Sequence, residues 1–99
     1  MSKIKIMSQS YDIEQMETIE LGVIKLGEVN HLENLIKICS TIPEDKKKIV
    51  LLHEILHVIF QQLGFDEEHD NEHLIDCLAN SLYQVLEDNP KLFTFFGLG

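Results

Sequence analysis

The residues best equipped for chemistry stand together as His53-Glu54-Ile55-Leu56-His57, two imidazoles four positions apart with a carboxylate between them. On a helix, positions i and i+4 share one face a turn apart, so both rings can reach a single metal ion. Glu54 projects about 100° round from His53, beside such an ion rather than onto it, where it can accept a proton from metal-bound water. With five His and 11 Glu in 99 residues, chance supplies roughly 0.03 such patterns. The setting adds to the letters. The run Ile49–Phe60 is otherwise apolar nearly all round, and buried ionisable groups are costly unless paired or metal-bound. The plainer account is two core histidines hydrogen-bonded to Glu54 and a backbone carbonyl. We expect a zinc site.

A catalytic zinc takes three protein ligands and keeps one open position. The extended pattern H-E-x-x-H-x-x-G-x-x-H is absent, because Phe60 stands where Gly belongs and Leu63 where the last His belongs. That leaves a carboxylate from the following helix, which offers Glu72 and Asp76, again an i, i+4 pair. A helix starting near Asp66 puts Glu72 level with His57, whereas a start near Asp70 makes Asp76 the better match in depth. The longer side chain favours Glu72 as ligand, with Asp76 one turn on holding a ligand imidazole. For both acids the plain alternative is a solvated carboxylate at an acidic helix start. Among the remaining candidates, His69 and His73 read as exposed loop histidines or, alternatively, adventitious metal ligands, His31 as an exposed turn residue, and Tyr83 as a core tyrosine or an oxyanion donor.

His53-Glu54-x-x-His57 followed by a Glu on the next helix resembles the gluzincin pattern of zinc peptidases, and Asn71-Glu72-x-x-x-Asp76 resembles the ligand helix of the thermolysin type. Leu51–His57 together with Leu78-Ala79-Asn80-x-Leu82-Tyr83-Gln84-Val85-Leu86-x-Asp88-Asn89-Pro90 is similar to small phage- and prophage-encoded proteins grouped with the ImmA/IrrE-like metallopeptidases. The resemblance spans about residues 20–92. It implies a minimal zincin-like fold and hydrolysis of peptide bonds in a protein substrate. In the larger ImmA/IrrE proteins the ligand Glu lies in a Glu-x-x-Ala-Asn pattern, whose slot here holds Asp76. The resemblance thus keeps Asp76 as the alternative metal ligand.

The elements that must position these residues change period midway. Residues 1–40 read as three or four short antiparallel strands: Lys3–Ile6, Tyr11–Met16, Leu21–Leu26 and Leu32–Ser40, punctuated by Gly22, Gly27 and Asn30-His31. From Thr41 the pattern turns helical. Thr41 can cap a helix over about 43–63, with Glu44 as its capping-box partner and Gly64 as its stop. A second helix is expected over about 67–87, with Leu74, Ile75, Leu78, Leu82 and Val85 as its apolar stripe. A short helix over about 90–97 carries Phe93, Phe95 and Phe96, expected to cover the core. The expected fold is α+β: one domain over 1–99, a small antiparallel sheet packed on the buried His53–His57 helix, and the second helix closing the site.

Charge narrows the function further. Residues 1–50 carry 7 Lys and 8 acids, while 51–99 carry one Lys and 9 acids, for a net charge of −9 with no Arg. Phosphate contacts need clustered Lys and Arg, so nucleic-acid binding is disfavoured. No run reaches the roughly 18–20 apolar residues of a membrane span, and the start lacks the apolar stretch of a signal peptide. The expected location is cytoplasmic, with Cys39 and Cys77 as reduced, core-packed thiols. The function expected is zinc-dependent peptide hydrolysis, with His53, His57 and Glu72 as ligands and Glu54 as general base. The rival is a catalytically silent, metal-stabilised regulatory or binding protein of phage or prophage origin. Oligomeric state leaves no mark in the sequence.

Overall fold

A computed structural model describes residues 2–17 and 26–98 of the chain. Four strands, β1 (Lys3–Ile6), β2 (Gln9–Met16), β3 (Gly27–Asn30) and β4 (Leu35–Cys39), precede four helices, α1 (Glu44–Leu63), α2 (Asp66–His69), α3 (Glu72–Asp88) and α4 (Leu92–Phe95). The class is α+β, as the change of period implies. The sheet is mixed rather than antiparallel throughout. Its order is β1-β2-β4-β3, with β1/β2 and β3/β4 antiparallel and β2/β4 parallel. Two hairpins are joined side by side, and the second inserts β4 next to β2, which leaves β1 and β3 as the edges among the described residues. The strand expected over Leu21–Leu26 falls almost wholly on 18–25, outside the described residues.

Turns set the hairpins. Ile6 pairs with Gln9 across a two-residue turn in which Met7 takes φ 57°. In the second hairpin the Asn30 side-chain oxygen accepts from the amides of Leu32 and Glu33, and Asn34 takes φ 52°. This Asx-type turn ends β3 at Asn30 and shortens the strand expected over Leu32–Ser40 to Leu35–Cys39. It also fixes His31 as the first residue of the turn.

Helix α1 lies across one sheet face. Ile6, Tyr11, Ile36, Ile38, Val50 and Val58 form the buried core, flanked by Ile55 and Ile59 among others. The far side of α1 receives α3 through Ile75 and Ala79, both fully buried; the small alanine lets the two helices approach closely. Burying Val58 or Ile75 is worth about 1.5–3 kcal/mol each. The apolar stripe of α3 is therefore rotated from the expected one, and Leu82 and Val85 are exposed.

The helix ends correct and match expectation in turn. Thr41 does not cap α1: Pro43 occupies the N-cap, and the Thr41 hydroxyl lies 3.2 Å from Cys39 Sγ. Gly64 ends α1 in the left-handed region at φ 80°, and the Phe65 amide donates to the Phe60 carbonyl at 2.9 Å. The helix expected over 67–87 is split at Asp70-Asn71. Asn71 caps α3, its side chain accepting from the Leu74 amide at 3.0 Å. The C-terminal aromatics do not cover the core. Phe95 and Phe96 are 82% and 64% exposed, on a helix α4 that is only one turn long. Cys39 is buried but Cys77 is exposed; both are free.

Candidate metal centre

Helix α1 carries His53 and His57 at one-turn spacing, and α3 begins at Glu72 directly opposite. His53 Nε2 and His57 Nε2 lie 3.1 Å apart. The Glu72 carboxylate spans both, with Oε2 3.0 Å from His53 Nε2 and Oε1 3.0 Å from His57 Nε2. Asp76, one turn further along α3, holds the other side of the first ring, with Oδ1 2.8 Å from His53 Nδ1. Glu54 is 5% exposed, and its Oε2 lies 4.0 Å from His53 Nε2. The α3 N-terminus places partial positive charge beside the Glu72 carboxylate.

Proton placement shows what this cluster requires. A carboxylate accepts, so His53 donates from Nδ1 to Asp76 and turns the lone pair of Nε2 toward Glu72. A neutral His53 then sets two acceptors against each other at 3.0 Å, an arrangement a cation relieves. The spacing agrees. Two nitrogens about 2.0–2.1 Å from one ion stand roughly 2.9–3.4 Å apart, and here the separation is 3.1 Å. Ligand atoms of His53, His57 and Glu72 all fall within 4.8 Å of one another. This His/His/Glu group can hold a metal ion.

Burial favours the neutral ring that coordination needs. His57 is pushed below the ordinary histidine range by desolvation; Glu72 opposes the shift, while His53 and His69 reinforce it. No acceptor reaches hydrogen-bond geometry at the buried His57 Nδ1 among the described residues, although the nearby His69 carbonyl favours the protonated ring.

The centre opens into a cleft of about 1030 Å³ between the edge strand β3 and α3, floored by α1. Gly27 lets β3 come this close. A Cβ there would stand 2.6 Å from Val50 Cγ1 and 3.3 Å from Glu54 Oε2. The sequence marked Gly27 only as turn punctuation; nothing in its neighbours announces a contact with α1.

Of the residues singled out from sequence, His53, Glu54, His57, Glu72 and Asp76 all line this cleft. The depth argument for the third ligand presupposed one continuous helix. With α2 and α3 separate, α3 starts at Glu72 and still delivers that carboxylate to both Nε2 atoms. Tyr83 is not at the centre: its hydroxyl donates to Asp45 at 3.4 Å, and it lines a second hollow with Leu52, Ile55 and Phe93. His73 is exposed, its Nε2 3.7 Å from Cys77 Sγ. His31 and His69, expected to be exposed, are half-buried in the cleft wall with Nε2 atoms 3.0 Å apart. The His69 ring packs edge-on against His57 at 4.9 Å between centroids. Burial, with the charge of His69 second, holds His31 below the ordinary histidine range. Their meeting across 38 residues left no local signal.

Compared with protein-family models, curated proteins and solved structures, the chain shows no match.

Proposed function

We propose that the cleft hydrolyses peptide bonds with zinc held by His53, His57 and Glu72. The observation that carries this reading is the position of Glu54, buried 4.0 Å from His53 Nε2, beside the convergent ligand atoms and not among them. When bound, zinc supplies Lewis acidity that acidifies water and polarises a carbonyl. Glu54 takes a proton from the attacking water and returns it to the leaving nitrogen. Asp76 fixes the His53 ring and its tautomer through Nδ1. Among the described residues β3 is an edge strand that lines the cleft, the placement by which an extended peptide can add as a further strand, which favours a protein or peptide substrate. The sequence resemblance to the ImmA/IrrE-like metallopeptidases belongs to the same proposal. So does a cytoplasmic location; no helix among the described residues is long and apolar enough to cross a membrane.

A second reading, a metal-stabilised binding protein without catalysis, draws support from the exposed Phe95, Phe96 and Leu98. Glu54→Gln separates the two. An amide cannot accept the proton, so cleavage of a protein-extract panel should fall by roughly 10²–10⁴-fold while metal content and fold stay as they were. Identical cleavage products from wild type and Glu54→Gln, compared by mass spectrometry, would remove the peptidase reading.

A further inference from the structure

We propose that His31 and His69 form a second, weaker site for a divalent transition cation of the zinc class, fastening the β3–β4 turn to α2. The pair repeats the construction of the first centre. There, one ring is oriented by a carboxylate on Nδ1, with His53 2.8 Å from Asp76; here His69 Nδ1 lies 3.1 Å from Asp70 Oδ1. In each pair the partner ring has a buried Nδ1 with no hydrogen-bond partner among the described residues, His57 in one and His31 in the other. The Nε2 atoms face each other at 3.1 Å in the first pair and 3.0 Å in the second, both within the roughly 2.9–3.4 Å expected of two nitrogens on one ion.

Asp70 sets the tautomer of His69. By accepting from Nδ1 it leaves the Nε2 lone pair pointing at His31. Without a metal, His31 donates its Nε2 proton into that lone pair; to bind a cation through both nitrogens His31 releases the Nε2 proton and takes one up at Nδ1, becoming the neutral Nδ1–H tautomer with its Nε2 lone pair free. Imidazole donors suit zinc, nickel or copper and disfavour magnesium and calcium. Among the described residues no carboxylate converges on these two nitrogens as Glu72 does on the first pair. Water from the adjoining cleft, which both rings line, fills the remaining positions. Two ligands instead of three make this the weaker site.

The His31 arm is separable from the peptidase reading, because His31 makes no hydrogen bond or ring contact with the first centre, whereas the His69 ring packs on His57 at 4.9 Å and is shared between the two. The test is calorimetric titration of zinc into the full chain after chelator stripping, with far-UV circular dichroism confirming each variant is folded. Wild type should bind two equivalents with distinct affinities. His31→Gln should weaken the second equivalent more than about 10-fold and leave the first unchanged. His57→Ala supplies the reciprocal arm and does not depend on the first variant folding: it should lose the tight equivalent and keep the weak one. A single equivalent in wild type overturns the proposal. So does a single equivalent whose affinity falls in His69→Gln, which would make His69 a ligand of the first centre, or a second equivalent that survives His31→Gln.

Discussion

The two histidine pairs line one cleft and are built on opposite terms. His53 and His57 ride a 20-residue helix pinned between the sheet and α3, so their spacing is held by regular backbone and by the core. His31 and His69 hang from a four-residue turn and a single-turn helix, and only the fold brings them together. The first pair also has the Glu72 carboxylate across both Nε2 atoms; the second has only Asp70 behind one ring. Similar nitrogen geometry is thus reached with unequal support, and metal affinity should follow the support.

The sharpest test is at the carboxylates of the first pair. Glu72→Ala removes the group that bridges both nitrogens and should lower zinc affinity by more than about 100-fold, measured by competition with a chromophoric chelator. Asp76→Ala only frees the His53 ring, a loss typically of about 10–100-fold. The reverse ranking, with Asp76→Ala abolishing binding and Glu72→Ala nearly silent, would make Asp76 the ligand, as the Glu-x-x-Ala-Asn resemblance implies.

A smaller effect is expected where β3 touches α1. A methyl group at Gly27 would stand 2.6 Å from Val50 Cγ1, and a buried β-branched valine has little rotamer freedom to retreat. Gly27→Ala should therefore destabilise by about 1–3 kcal/mol, read as a lower urea midpoint with unchanged slope. Because the same Cβ would stand 3.3 Å from Glu54 Oε2, the variant should disturb the first centre more than the His31 end of the strand. An unchanged midpoint would mean that the strand can shift away at no cost.

The same contrast explains what could be read from the sequence. A helix converts letter spacing into geometry, so the i, i+4 spacing of His53 and His57 translates directly into neighbouring rings on α1, and the Gly64 stop can be read from one residue. The α+β class followed from the change of period. What escaped depended on topology. The parallel β2/β4 pairing and the β3 edge position come from how two hairpins assemble, which no window of residues encodes. The break at Asp70-Asn71 was hidden because its acidic residues fit a helix start as well as a loop, and that break sets the approach of Glu72 and the position of His69. Phe95 and Phe96 misled in the other direction: apolar letters predicted core, but on the one-turn α4 these two rings stay exposed while Phe93 lines the hollow beside Leu52 and Ile55.

The gentlest test asks whether each pair costs the fold something as pH falls. One ring in each, His57 and His31, is held below the ordinary histidine value of 6.5, in both cases chiefly by burial. In the unfolded chain these rings take up protons as pH drops through 6.5, while in the folded chain they resist until lower pH. Between the two values the unfolded state binds more protons, so the stability of metal-free protein is complete above 6.5 and declines as pH falls through the folded values. For His57 the charge of Glu72 works against this decline and those of His53 and His69 work with it; for His31 the charge of His69 adds to burial. His31→Gln should therefore flatten the slope more cleanly than His57→Gln, although the first pair is the one proposed to hold a metal more tightly. Urea midpoints of chelator-stripped protein, taken between about pH 5 and 7.5 to stay above the carboxylate range, measure that slope. A flat profile in wild type would mean that the buried rings gain compensating partners when charged, and the unpaired Nδ1 atoms are where such partners would have to appear.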